Sequence, residues 1–146
     1  MRHHLILRVV TKFLLGVIFL FALYVQFHGE YSPGGGFQAG VIMAVGFIVY
    51  GLIFSLKKAQ QIFPSQSVSK FLALGVLIYG GTGIYSVFKG YNFLDYSALN
   101  PSLPEKGQHL GVLLVELGVG ITVTGVMLTI YYAFADRAPS MSDEEW

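Results

Sequence analysis

Four long apolar runs dominate this chain of 146 residues and leave only short segments between them. They cover residues 5–27, 37–56, 71–88 and 110–135. Each run has roughly twenty residues or more, which is enough for a helix to cross about 30 Å of hydrocarbon. Backbone amides find no water inside a bilayer, and a helix satisfies them within its own segment. The sequence therefore predicts an all-α integral membrane protein with four transmembrane helices.

The remaining residues leave little room for another kind of domain. Charged residues make up 12% of the chain, whereas ordinary soluble domains contain about 25%. The longest connection, residues 89–109, is too short to fold independently. We therefore interpret residues 1–135 as one four-helix membrane domain and residues 136–146 as an acidic tail. The chain contains no cysteine, which excludes thiolate metal sites, disulfides and a cysteine nucleophile.

The distribution of basic residues predicts the orientation of the chain in the membrane. If the N-terminus is inside, two of the nine basic residues, Lys89 and Lys106, lie outside, and seven lie inside: Arg2, Arg8, Lys12, Lys57, Lys58, Lys70 and Arg137. Cytoplasmic segments of membrane proteins carry an excess of lysine and arginine. The pattern predicts that both termini, and hence the tail, are cytoplasmic in a multi-pass membrane protein.

One carboxylate lies within the last apolar run, at Glu116. A carboxylate in lipid costs about 2.5–3.5 kcal/mol, so it requires a partner or a wet cavity. His109 precedes it by seven residues and shares its helix face. An imidazole and a carboxylate on one face can relay protons. Glu116 and His109 are therefore candidates for a proton or ion passage, and the alternative is that Glu116 anchors a neighbouring helix.

The turn between the first two runs contains a second candidate feature. Residues 28–38 read HGEYSPGGGFQ. Proline and three glycines favour a tight turn, and the glycines expose the backbone for close contact. We predict a helical hairpin that packs against a partner subunit, through His28, Pro33, Gly34, Gly35, Gly36, Phe37 and Gln38. No catalytic residue, metal site or cofactor is predicted, and nucleic acid is not expected as a partner.

These motifs closely resemble those of the MnhB family, whose members are membrane subunits of the Mrp-type multi-subunit Na⁺/H⁺ antiporter. The string HGEYSPGGGFQAG at residues 28–40 is similar to the family's signature. The string ELGVGITVTGVM at residues 116–127 is similar to its last helix, and GGTG at residues 80–83 to its third. The resemblance extends over residues 9–135. Residues 33–37 match the family's glycine motif, and Glu116 matches the carboxylate of its last helix.

The resemblance implies a nonenzymatic, four-helix accessory subunit that lacks a complete ion path of its own and lies in a prokaryotic plasma (inner) membrane. Its partners would be the other antiporter subunits, including large ones similar to the antiporter-like subunits of respiratory complex I. The complex would exchange cytoplasmic Na⁺ for external H⁺. Two alternatives remain open: a related membrane subunit of an energy-converting redox complex, such as a membrane-bound hydrogenase, and a stand-alone homo-oligomeric small transporter.

Overall fold

The fold is that of a computed structural model, which describes residues 5–29 and 33–137. The predicted turn residues 30–32 and the predicted acidic tail from residue 138 onward lie outside the described residues. Within the described ranges the regular structure is entirely helical, with no strand. The elements in chain order are α1 Leu5–Phe27, α2 Gly36–Phe54, α3 Leu56–Ile62, α4 Ser65–Phe88, a short 3₁₀ helix Tyr96–Leu99, and α5 Pro104–Ala135.

Four of these helices, α1, α2, α4 and α5, are long and apolar enough to cross a membrane. This result confirms the all-α fold and the four transmembrane helices predicted from the apolar runs. The hairpin between α1 and α2 and the connection between α4 and α5 share one end of the bundle, which we call the hairpin end. The other end, which we call the α3 end, holds α3.

The second helix ends at Phe54, two residues before the end of the apolar run. Ser55 has a φ of +112°, which is sterically unfavourable for a residue with a side chain. The Ser55 amide still donates to the Gly51 carbonyl, at 3.1 Å. The chain then continues as the separate short helix α3, which the sequence analysis did not predict.

The last helix begins at Pro104, six residues before the start of the apolar run. Proline suits the first turn of a helix because its missing amide hydrogen is not needed there. Glu105 in the same turn complements the helix dipole. A helix of 32 residues is about 48 Å long and exceeds the roughly 30 Å hydrocarbon layer. His109 therefore lies on the helix rather than in a loop.

The long helices lie in the order α1, α2, α5, α4, and glycines allow close approach at each interface. At Gly40, an added Cβ would lie 2.6 Å from the Gly120 carbonyl oxygen of α5. At Gly118, it would lie 2.9 Å from the Gly75 carbonyl oxygen of α4. At Gly46, the aromatic ring of Phe19 from α1 fills the space. Small residues permit such packing in membranes, where van der Waals contact drives helix association.

A few hydrogen bonds between elements fix the positions of the helices. The Thr124 hydroxyl lies 2.8 Å from the Gly120 carbonyl oxygen of its own helix and 3.1 Å from the Gly40 carbonyl oxygen of α2. At the α3 end, the Tyr132 hydroxyl donates to the Phe63 carbonyl, at 3.0 Å. These bonds place α5 at the centre of the bundle, and that position determines where Glu116 lies.

Candidate functional site

Glu116 lies directly against the hairpin that joins α1 and α2. One carboxylate oxygen, Oε1, lies 2.9 Å from the position that a Cβ would take on Gly29, and 3.0 Å from that position on Gly35. The backbone of Glu116 lies against Gly36 so closely that a Cβ there would overlap its carbonyl. The glycine motif and the intramembrane carboxylate, two separate features of the sequence, therefore form one site.

The backbone of the hairpin explains why glycine is needed at this site. Gly35 has a φ of +113°, a conformation that residues with side chains rarely adopt. Its amide donates to the Val25 carbonyl near the end of α1, at 3.2 Å. This bond folds the chain back sharply and starts α2 at Gly36. The tight turn brings the glycine backbone, with no side chain between, to the Glu116 carboxylate.

A pocket of about 410 Å³ opens beside this carboxylate, and we call it the polar pocket because four of its eight lining residues have polar side chains. Its lining comes from α5, the end of α1 and the hairpin: Gln26, Phe27, Gly29, Lys106, His109, Leu110, Leu113 and Glu116. The structure thus places Glu116 and His109 in the same cavity wall. Lys106 adds a positive charge at the hairpin end of the helix. The pocket contains the proton-exchanging groups that a relay would require.

Gln26 is a polar residue of this site that the sequence analysis did not identify. Its side chain is 6% exposed, and Nε2 has no hydrogen-bond partner among the described residues. Its Oε1 lies 2.6 Å from the position that a Cβ would take on Gly120. A buried amide nitrogen without a partner is costly, so Gln26 is a donor that this site could offer to a polar group. The available signal was a single amide within an otherwise apolar run.

A second cavity of about 350 Å³ lies on the other side of Gln26, toward the α3 end. Apart from Gln26 and Thr124, its lining consists of apolar residues and glycines from all four long helices, together with Phe63. The Thr124 hydroxyl is already hydrogen-bonded to backbone carbonyls. The cavity therefore offers little to a charged or hydrated group. Gln26 therefore marks the boundary between a polar and an apolar cavity.

The other residues of the predicted hairpin motif are more exposed than Gly35 and Gly36. Phe37 is 61% exposed, and Pro33 and Gln38 are also exposed. His28 is half-buried and stacks on Tyr24, with ring centroids 4.7 Å apart. The motif thus divides into Gly35 and Gly36, which contact α5, and an outer surface centred on Phe37. The Gly34 backbone contacts the Val25 carbonyl.

The charges around the pocket come from a small number of groups. Burial raises the pKa of the Tyr96 phenol above its ordinary value, and the nearby Tyr79 phenol raises it further. Because this pKa is raised, Tyr96, which packs on Gly111 of α5, adds no negative charge near neutral pH. Across residues 5–29 and 33–137, no three histidine or acidic side chains lie close enough to hold a metal ion.

Comparison with known proteins identifies the family. Residues 6–129 match the family described as "Domain related to MnhB subunit of Na+/H+ antiporter". The chain belongs to the MnhB family. This result confirms the resemblance seen in the glycine motif and the last helix. The MnhB match covers α1 from its second residue, all of α2, α3 and α4, and most of α5, including every residue of the polar pocket.

Several staphylococcal proteins named "Putative antiporter subunit mnhB2" are similar to this MnhB chain. The protein from Staphylococcus haemolyticus is 36% identical over 132 residues, which cover 89% of this chain and 93% of that protein. Those from Staphylococcus epidermidis and Staphylococcus aureus are 35% and 34% identical over 127 residues, which cover 86% of this chain and 89% of theirs. The chain is a multi-pass protein of the bacterial plasma membrane.

Proposed function

We propose that the polar pocket around Glu116 forms part of the proton or cation passage of a Na⁺/H⁺ antiporter complex. As a member of the MnhB family, the chain is an accessory membrane subunit of such a complex. We propose no enzymatic reaction for it. The observation that carries the proposal is the position of the Glu116 carboxylate, on the wall of a polar cavity and against the bare backbone of Gly29 and Gly35.

The chemistry of the pocket suits proton movement better than complete coordination of Na⁺. Imidazole and carboxylate groups exchange protons at physiological pH when their surroundings tune them. A dehydrated Na⁺ would require several oxygen ligands. Glu116 and the Gln26 amide oxygen provide few of them within this pocket. We therefore propose that neighbouring subunits, including large ones similar to complex I antiporter subunits, complete the passage for Na⁺ and H⁺.

Cysteine chemistry tests whether the pocket belongs to the passage, because the chain has no cysteine of its own. We expect Leu113→Cys, in the pocket wall, to react with a small positively charged thiol reagent in the assembled complex. The attached charge should reduce Na⁺/H⁺ exchange by at least about tenfold, because it repels cations in a confined site. The measurement is exchange in vesicles before and after labelling, with the labelled fraction determined by mass spectrometry.

Ile84→Cys provides the matched control for this experiment. The Tyr79 amide lies 3.0 Å from the Cβ position of Gly118. The two helices are antiparallel. Five residues closer to the hairpin end, α4 has Ile84 and α5 has Leu113, so these two residues lie at about the same depth in the membrane. Ile84 is exposed and does not line the pocket. Full labelling at Leu113→Cys with unchanged exchange would refute the passage.

We also propose that the outer surface of the hairpin, centred on Phe37, docks onto a large antiporter subunit. Phe37→Ala is expected to reduce co-purification of the partner subunits severalfold. Truncation of an aromatic residue that anchors an interface typically costs about 2 kcal/mol or more of binding free energy. The melting temperature of the isolated subunit should change little, since Phe37 is largely exposed. The measurement is the ratio of partner subunits to tagged chain after purification in mild detergent.

Leu52→Ala is the matched control for Phe37→Ala. Leu52 lies near the other end of the same helix and is also 61% exposed. If both variants lose partner subunits equally, a general weakening of α2 explains the loss and the docking role is wrong. If the wild-type chain purifies alone as a homo-oligomer, the stand-alone transporter interpretation is favoured instead.

A further inference from the structure

A basic cleft lies at the α3 end of the bundle, far from Glu116. It has a volume of about 320 Å³ and is lined by Arg8 of α1, Ile53 and Phe54 of α2, and Lys58 of α3. Arg8 and Gln26 lie on the same helix, about 27 Å apart by helical rise. That separation is close to the thickness of the hydrocarbon layer. The basic cleft and the polar pocket therefore lie near opposite faces of the membrane.

Cations converge on one aromatic ring in this cleft. The Arg8 guanidinium carbon lies 5.3 Å from the centre of the Phe54 ring, and Lys12 Nζ lies 5.9 Å from it. Phe54 is 7% exposed, so the ring is fixed in place. Cation–π contact attracts each cation without neutralising its charge. Arg8 and Lys12 are four residues apart on one helix face, and like charges at that spacing repel each other.

The described lining of the cleft contains no carboxylate to balance these charges. At this end of the bundle, the Asp136 carboxylate accepts a hydrogen bond from the Gln60 amide, at 3.3 Å. The other described acidic residues, Asp95, Glu105 and Glu116, lie toward the hairpin end. An anion from outside these residues would relieve the repulsion between Arg8, Lys12 and Lys58.

The backbone break at Ser55 supports the shape of the cleft. The positive φ of Ser55 ends α2 immediately after Phe54 and starts α3 in a new direction. The Ala59 amide donates to the Ser55 carbonyl, at 3.2 Å, which holds the first turn of α3 in place. The break thus brings Lys58 to the same cleft as Arg8 and Phe54. A continuous helix would carry Lys58 onward along the axis of α2.

We infer that this cleft binds the phosphate of an anionic phospholipid. A guanidinium and ammonium groups suit a phosphate, which arginine can bind with two hydrogen bonds. Lipid phosphates lie at the ends of transmembrane helices, where basic residues of this kind bind anionic headgroups. Three exposed apolar side chains on α1 and α2 offer a surface for the acyl chains: Val9, Phe13 and Leu52. The inference does not depend on the exchange role of Glu116.

Lipid retention by the purified full-length chain tests this site. The chain is prepared in detergent with equal amounts of phosphatidylglycerol and phosphatidylcholine, and bound lipid is counted by native mass spectrometry. We expect the wild-type chain to retain phosphatidylglycerol preferentially. The double variant Arg8→Gln with Lys58→Gln should retain it at least about tenfold less, since each basic residue near a membrane surface contributes severalfold. Equal retention of both lipids by the wild-type chain would overturn the inference.

The matched control is Lys89→Gln with Lys106→Gln, which removes the same charge at the hairpin end. This control should retain phosphatidylglycerol as the wild-type chain does, and an equal loss in both double variants would overturn the site. If the first double variant does not fold, Arg8→Lys replaces it and should bind a few-fold more weakly, because it keeps the charge but loses the planar fork. Displacement of the lipid by inorganic phosphate at an equal concentration would indicate a free-anion site and contradict a lipid site.

Discussion

Gly36→Ala is expected to lower the melting temperature of the subunit and to reduce its incorporation into the complex severalfold. The added methyl group would overlap the Glu116 carbonyl oxygen and lie 2.7 Å from its carbonyl carbon. Both atoms belong to the backbone of α5, so no flexible side chain can move aside. Overpacking in a core typically costs about 1–3 kcal/mol, and a clash between two backbones lies at the upper end. The measurements are the melting temperature in detergent and the yield of assembled complex.

Gly81→Ala is the matched control for this prediction. Gly81 lies within α4, and a Cβ there would meet no atom within 4 Å. Alanine is favoured over glycine in a helix by roughly 0.5–1 kcal/mol. The control should therefore melt at the wild-type temperature or above and assemble normally. Normal melting and assembly of Gly36→Ala would contradict the close contact between the hairpin and Glu116.

Glu116→Gln is expected to reduce Na⁺/H⁺ exchange by at least about tenfold while assembly is retained. Glutamine keeps the size and shape of the side chain and one acceptor oxygen, so it still fits between Gly29 and Gly35. It cannot release or accept a proton at physiological pH, so a relay through this position would stop. The measurement is exchange per assembled complex in proteoliposomes, between about pH 7 and pH 9.

This experiment separates the two roles considered for Glu116. If the carboxylate only anchors a neighbouring helix, assembly should decrease and exchange per assembled complex should stay at the wild-type level. Glu105→Gln provides the control, since Glu105 is exposed in the first turn of the same helix and does not line the pocket. It should leave both quantities unchanged. Unaltered exchange by Glu116→Gln across the whole pH range would disprove the relay.

The four transmembrane helices could be predicted because hydrocarbon imposes one simple requirement, a sufficiently long apolar segment. The ends of the helices were less predictable. An apolar run indicates which residues lie in the hydrocarbon layer, but it does not indicate where the helix begins or ends. Residues 104–109 are mostly polar, yet they extend α5 beyond the apolar run. At Ser55 the apolar pattern continues to Leu56 while the backbone breaks, and composition gives no signal of a positive φ.

The site was predicted in parts but not as a whole. Glu116 was identifiable because a lone carboxylate in an apolar run is costly and therefore informative. Its contact with Gly35 and Gly36 joins segments about eighty residues apart, and one sequence contains no information on such a pairing. Gln26 was missed because it lies one residue before the end of α1, where a polar residue is expected near the membrane surface and gives no sign of burial. The structure identifies it through its burial and its unpartnered nitrogen.

The two cavities that meet at Gln26 limit what this polypeptide can do alone. A hydrated ion that reached Gln26 from the hairpin end would meet the second cavity, whose lining is mostly apolar and includes three phenylalanine rings. Solvation is lost there and nothing in the described lining replaces it. To continue across the membrane, the ion would have to leave this subunit laterally and bind polar groups of a neighbouring subunit. This arrangement would prevent ion leakage through an unassembled subunit, because the passage would be complete only when the neighbouring subunit is bound.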